Sequence, residues 1–393
     1  MTLGRRSLLS TTGAAIAVLA LTAGAAEAAG DTIKIGAPAN LTGALSSLDA
    51  PTLNGEKLKA KEINDAGGVL GKQIELVIYD TKTDPTVIAS VGSQLINQDH
   101  VPVIAGFTDS DSVLALGPIA QQAGIPFVTP GATSPKLPEQ VGNSMFLACF
   151  GDNVQAAAGA DFLPRNLNAR NAYLISDNST EYTTLLASYF KQAYEHNGSK
   201  LLGEDYYKSG DKSFAAQITK LKALGTKPDA VYIAAMPDDI GLIVKQMRQS
   251  GVTQPIVGGD GYDTPLLLSV GGDAANGVYY STHAFIGEDG TPAIQKFYMA
   301  YQQAYGTPPE NAFAALGYDT IGLIADAIRR AGAAEPAKIR DALAATQGYQ
   351  GITGTISYPK DTRVPQKTVT LIGVKDDKLT LGAEVMPAWI PNP

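Results

Sequence analysis

The sequence predicts an α/β protein of two lobes, each folded around a parallel sheet, and three observations predict it. At 393 residues the chain exceeds what one hydrophobic core usually serves, so two domains are expected. One pattern of strand, polar turn, helix, glycine, strand and Pro-containing turn is written twice, about 130 residues apart. The strand–helix order that opens the chain also restarts at Asn171.

The first copy has a strand at 103–106, a polar turn at 107–112 and an amphipathic segment closing at Gly124. A strand at 125–128 and a turn at 129–135 complete it. The second has a strand at 230–235, a turn at 236–239 and a helical segment closing at Gly251, then residues 255–257 and 258–265. Each copy reads as a βαβ unit with a right-handed crossover. Ligands of open parallel sheets sit beyond the carboxyl ends of the strands. Two units therefore imply two crevices that face each other across one ligand.

The remaining elements follow in order. Residues 32–38 alternate as a strand, and the loop 40–44 leads to a helix at 52–66 that buries Leu53, Leu58 and Ile63 and stops at Gly67-Gly68. A strand at 73–79 ends at Asp80, and 142–151 is a crossing without helical period. After Asn171 come a strand at 172–175, a polar loop at 176–181 and a helix at 182–196. A strand at 277–282, helices at 292–305, 313–331 and 336–345, and closing strands at 355–358 and 368–374 finish the chain. No Pro/Ser linker divides the two halves, so the lobes are expected to share several chain crossings.

Residues 1–28 read as a removable signal peptide. Arg5-Arg6 give the positive end, residues 7–24 the short Ala- and Leu-rich stretch, and Ala26-Glu27-Ala28 the small residues of a cleavage site. The paired arginines fit a twin-arginine leader as well as ordinary Sec secretion. The product is expected to be exported and soluble. A net charge of −8 and a pI near 5.0 argue against nucleic acid or anionic lipid as partner. The single cysteine, Cys149, excludes an intramolecular disulfide and reads as a small buried hydrophobe.

Signals for catalysis are weak. His100, His196 and His283 have no metal-ligand spacing and read as surface or packing histidines. There is no G-x-S-x-G elbow, no G-x-G-x-x-G and no phosphate-binding G-x-x-x-x-G-K-S/T loop. Asp109 and Asp111, two apart, lack the fuller oxygen set of a calcium site, and helix capping by Asp109, Ser110 or Asp111 accounts for them. No cofactor and no metal is expected.

The strand-end turns instead carry matched polar groups. Ser110 and Thr133 are hydroxyls beside backbone N–H donors, which suit a carboxylate. Asp260, in the corresponding turn of the second half, suits an ammonium, and Tyr182 begins the helix that would face the ligand. Donors on one side and an acid on the other describe a site for an α-amino acid. Capping and turn roles explain each residue singly about as well; the set is stronger than its members.

Nearly the whole chain after the leader resembles the periplasmic branched-chain amino-acid-binding proteins of ABC importers, which have the type I periplasmic binding fold. Gly55, the run Ile63-Asn64-Asp65-Ala66-Gly67-Gly68-Val69-Leu70-Gly71-Lys72, Tyr79-Asp80 with Asp84-Pro85, Gly124-Ile125-Pro126, Thr129-Pro130-Gly131-Ala132-Thr133 and Gly317-Tyr318-Asp319 carry the resemblance. It implies that Ser110 and Thr133 hold the substrate carboxylate, that the Gly131 carbonyl and Asp260 take the ammonium, and that Tyr182 covers the ligand. Leu48 and Met236 stand where leucine binders often carry tyrosines, which implies an apolar side-chain pocket. With Asp109 and Ala132 these complete the expected ligand-binding set.

The expectation is thus two Rossmann-like lobes with parallel sheets and a three-crossing hinge near Cys149-Phe150, Thr282-His283 and Ser357-Tyr358. Residues 29–149 with 284–356 would form the N-terminal lobe, and 150–283 with 357–393 the C-terminal lobe. The function expected is a monomeric periplasmic receptor, not an enzyme, that delivers an apolar amino acid to an ABC transporter permease. Two rivals stay open: the same fold binding an aromatic carboxylate or short amide, and an extracellular enzyme using Asp109, Asp111 or Asp260.

Overall fold

A computed structural model describes residues 1–2, 32–287, 289–359 and 362–393. The expected leader lies outside the described residues but for Met1 and Thr2. Residues 31–393 make one compact unit. Among its described residues, the first sheet has the order β2-β1-β3-β4-β5, built from β1 (Ile33–Ala39), β2 (Ile74–Asp80), β3 (Ile104–Ala105), β4 (Phe127–Thr129) and β5 (Met145–Leu147). All its pairings are parallel. Both faces are covered, one with Ile35, Phe146 and Ile324 and the other with Leu95, Leu116 and Phe127. Burial on two faces is why these strands read as unbroken apolar runs.

The second sheet contains β6 (Asn171–Asp177), β7 (Lys200–Tyr207), β8 (Ala230–Ala234), β9 (Ile256–Gly258) and β10 (Val278–Thr282), all parallel. A separate antiparallel hairpin pairs β11 (Tyr349–Gly351) with β12 (Gly354–Ile356), so the strand expected at 355–358 joins neither sheet. Two more strands, β13 (Val369–Lys375) and β14 (Lys378–Val385), extend the second sheet antiparallel. The two expected parallel sheets are present, and the second carries this antiparallel edge in addition. Asp376 and Asp377 both take positive φ, 51° and 58°, and such a two-residue turn returns the chain beside itself.

Two long helices brace the first lobe. Ser46–Asp65 starts six residues before the expected 52, although Pro51 lies inside it. Pro51 cannot donate to the Ser47 carbonyl, and Asn311 Nδ2 takes that acceptor at 3.0 Å. The helix crosses Ala312–Ala331 at two glycines. A Cβ on Gly55 would fall 1.8 Å from the Ala314 carbonyl oxygen, and one on Gly317 2.1 Å from that of Thr52. Only glycine permits this approach.

The chain passes between the sheets after β5, after β10 and before β13. The third passage comes later than the expected Ser357-Tyr358. Tyr358 Oη still donates to the Leu147 carbonyl at 2.9 Å, and Arg363 Nε to that of Met145 at 3.0 Å. Buried Lys367 sits in the true passage, with Nζ on Thr353 Oγ1 at 2.6 Å and on the Ala148 carbonyl at 3.3 Å. Among the described residues no helix is long and apolar enough to cross a membrane.

Candidate functional site

A cleft opens where the strand ends of the two sheets meet. Its walls are Leu45, Leu48, Thr108, Asp109, Ser110, Thr133 and Phe313 from the first lobe, and Tyr182, Met236, Pro237, Asp260 and Gly261 from the second. The cleft is narrow, with about 290 Å³ of space between its walls counting the part open to solvent. Among the described residues no lysine, arginine or histidine lines it.

On the first lobe, Phe107 takes φ 65°, uncommon for an aromatic residue, and Thr129 Oγ1 holds its carbonyl at 2.8 Å. That turn swings the chain into the helix Ser110–Ala123. Asp109 caps the helix, accepting from the Ser112 N–H at 2.8 Å, as the capping reading anticipated. Ser110, in the first turn, places its hydroxyl and the unpaired N–H groups of a helix start at the cleft. Its Oγ accepts from the Ser134 N–H at 3.2 Å, which uses a lone pair and leaves the hydroxyl proton to donate.

Behind this edge Asp49 accepts from the N–H groups of Asn40, at 2.7 Å, and Thr108, at 3.0 Å. Burial, then the charge of Asp109, pushes its carboxyl up to about 7. Burial likewise lifts Asp109 to about 6.

On the second lobe, Thr180 caps the helix Glu181–His196, and Tyr182 in its first turn is buried. Tyr182 Oη accepts from the Gly261 N–H at 3.0 Å, which fixes the phenol against the turn that carries Asp260. Met236 precedes the helix Pro237–Gln249. Asp260 opens a short 3₁₀ turn, and both its oxygens are engaged: Oδ1 by Gln155 Nε2 and Oδ2 by His283 Nε2, each at 2.9 Å.

Gln155 also donates to Asp152 Oδ1 at 2.9 Å and lies 3.5 Å from Thr133 Oγ1, while its Oε1 accepts from the Asp260 N–H and from Ser281 Oγ. Burial, reinforced by Asp260, holds the Asp152 carboxyl well above the usual carboxylate range. Across the mouth of the cleft, Asp111 Oδ2 accepts from the Glu181 N–H at 3.2 Å, and Gln140 Nε2 donates to Glu181 Oε1 at 3.1 Å.

The structure thus brings Leu48, Asp109, Ser110, Thr133, Tyr182, Met236 and Asp260 around one space. Gly131 and Ala132 precede Thr133 in the same turn and are not among the wall residues named above. A Cβ on Gly131 would meet the Phe313 ring at 2.7 Å, and the Ala132 carbonyl accepts from Cys149 Sγ at 3.4 Å. The reading of His283 as surface or packing misses its bond to Asp260.

Leu45, Thr108, Pro237, Gly261 and Phe313 were not anticipated either. Thr108, Pro237 and Gly261 belong to turns the sequence marks as polar, and could have been found there. Phe313, Gln155 and His283 come from elements with no local signal of a site.

Two α/β lobes, three chain passages and a cleft lined from both lobes at facing strand ends define a two-lobed binding protein. The family model described as periplasmic binding protein matches residues 32–378, and the chain belongs to that family. A leucine-, isoleucine-, valine-, threonine- and alanine-binding protein of Pseudomonas aeruginosa is 28% identical over 331 residues, 84% of this chain and 86% of that one. An amino acid binding protein of the same organism is 30% identical over 310 residues, 78% of this chain and 80% of that one. The fold superposes, with a TM-score of 0.84 and 31% identity, on the branched-chain amino acid transporter substrate binding protein LivJ of Streptococcus pneumoniae in complex with isoleucine, covering 91% of this chain and 100% of that one.

Proposed function

We propose that this chain is the exported receptor of an ABC importer, which captures an α-amino acid with an apolar, foremost branched-chain, side chain and presents it to a membrane permease. The observation that carries the reading is the placing of Asp260 in the same cleft as Ser110 and Thr133. Hydroxyls and helix-start N–H groups receive the carboxylate, and the acid opposite receives the ammonium. Leu45, Leu48, Met236, Pro237 and Phe313 give the side chain an apolar surface. Relatives whose names specify leucine, isoleucine and valine support the same class.

Closure over the ligand excludes water and strengthens the charged hydrogen bonds, because the local dielectric falls. The leader would carry the chain by the Sec or twin-arginine route to the periplasm, where it acts as a monomer.

Thermal unfolding with a panel of amino acids tests the reading. A true ligand at 100 times its dissociation constant adds about 2.7 kcal/mol of stability. Asp260→Asn is expected to weaken the amino acid by about 10- to 100-fold, the worth of a charged hydrogen bond, and its deaminated keto acid far less. Equal loss for both ligands removes the ammonium assignment.

A further inference from the structure

His283 stands at the second passage between the lobes and is 2% exposed. Its ring stacks on Phe150 with centroids 4.0 Å apart and meets Phe313, a wall of the cleft, edge-on at 5.6 Å. Nε2 lies 2.9 Å from Asp260 Oδ2, and Nδ1 is buried without a partner. A carboxylate only accepts, so a neutral imidazole carries its proton on Nε2. Protonation would place a charged, unpaired N–H at Nδ1 between two phenyl rings, which is costly.

The charged and titratable groups around this ring come from three segments. Asp260 is bonded directly. Lys367, from the third passage, opposes a positive charge on the ring. From the first passage comes Asp152, coupled to Asp260, with its carboxyl held well above the usual range by burial. Cys149 there is held well above its ordinary value by burial. Asp263, beyond Asp260, is occupied by Thr282 Oγ1 and the Ala312 N–H. Burial, the largest influence, lowers the affinity of His283 for its second proton.

We propose that His283 is the positioning residue that decides whether this cleft takes a zwitterion or a plain carboxylate anion. Neutral, it leaves Asp260 with an uncancelled negative charge that only a ligand bearing an ammonium satisfies. Protonated, it cancels that charge and admits a 2-keto acid or an aromatic acid. The inference rests on the amino-acid reading above. Binding of a plain anion draws one proton from solvent onto His283 Nδ1 that binding of an amino acid does not draw; Asp109 and Asp49, beside the carboxylate subsite, act alike on both ligands. Apparent affinity for the anion therefore rises as pH falls, by up to about tenfold per unit. The amino acid gains nothing from the His283 proton, so the ratio of the two affinities separates His283 from Asp109 and Asp49.

Calorimetry on the chain without its leader tests this with L-leucine and 4-methyl-2-oxopentanoate, neither of which titrates between about pH 8 and about pH 5. Paired buffers of different ionisation heat report proton uptake. The leucine-to-keto-acid affinity ratio is expected to fall at least about tenfold over that range, with greater proton uptake for the keto acid than for leucine. His283→Gln keeps a donor for Asp260 but cannot titrate, so its ratio becomes independent of pH and the difference in uptake disappears.

A wild-type ratio that does not move with pH, or an excess of keto-acid over leucine proton uptake that persists in His283→Gln, overturns the proposal while leaving the amino-acid reading intact. Should that variant fail to fold, His283→Asn, which also carries an amide donor and cannot titrate, is read in the same way. If no apolar amino acid binds at about pH 8, the reading and the proposal fall together.

Discussion

Gln155 Nε2 donates to Asp260 Oδ1 at 2.9 Å across 105 positions of sequence, and the same nitrogen lies 3.5 Å from Thr133 Oγ1. One amide at the hinge thus reaches both the hydroxyl proposed to hold the ligand's carboxylate and the acid proposed to hold its ammonium.

Gln155→Ala is expected to destabilise the chain by about 1–3 kcal/mol, because the buried Asp260 N–H and Ser281 hydroxyl lose their acceptor. Amino-acid affinity should drop by more than about tenfold, since Asp260 is no longer held toward the cleft. Thermal unfolding and calorimetry read the two effects separately. Lost stability with undiminished affinity would make the amide a purely structural brace.

The contact between Asp111 and the Glu181 N–H joins the lobes at the mouth of the cleft. Burial raises the Asp111 carboxyl, and the charges of Glu181 and Asp177 add to it. Such a partly exposed contact is worth about 0–1 kcal/mol. Asp111→Ala should therefore weaken ligand by only a few-fold, with the change in the dissociation rate. Stopped-flow traces in which association slows instead would show that the contact steers entry and does not hold the closed form.

Stability should fall as pH rises through the mildly acidic range. Burial puts Asp49 at about 7 and Asp109 and Asp263 at about 6, against an ordinary 3.8. The folded chain then binds more protons than the unfolded one, so these groups favour folding below about pH 4 and lose that contribution by about pH 7. Each unit of separation is worth about 1.4 kcal/mol. His283, held below its ordinary value, acts in the opposite sense, losing its contribution as pH falls below 6.5. The three carboxyls outweigh it, and Tm of the ligand-free chain is expected to decline from about pH 5 to about pH 8. A Tm that climbs over that interval would mean these carboxyls ionise as if exposed.

The sequence by itself determined the βαβ rhythm and the turns that carry Asp109, Ser110, Thr133, Met236 and Asp260. Strand period, helix period and turn chemistry are set by neighbours within a few residues, so they can be read along the chain. It erred where an element depends on a distant partner. Ser46–Asp65 runs through Pro51 because Asn311, 264 residues away from the Ser47 carbonyl, replaces the missing donor. The antiparallel edge of the second sheet depended on the turn at Asp376 and Asp377, which the pattern of apolar residues does not mark.

Only the tertiary structure decided what surrounds Asp260. Gln155 comes from a helix after the first passage and His283 from the segment after β10. Neither has a local motif, because a buried charge draws its partners from whichever chain segments the packing brings within hydrogen-bond reach.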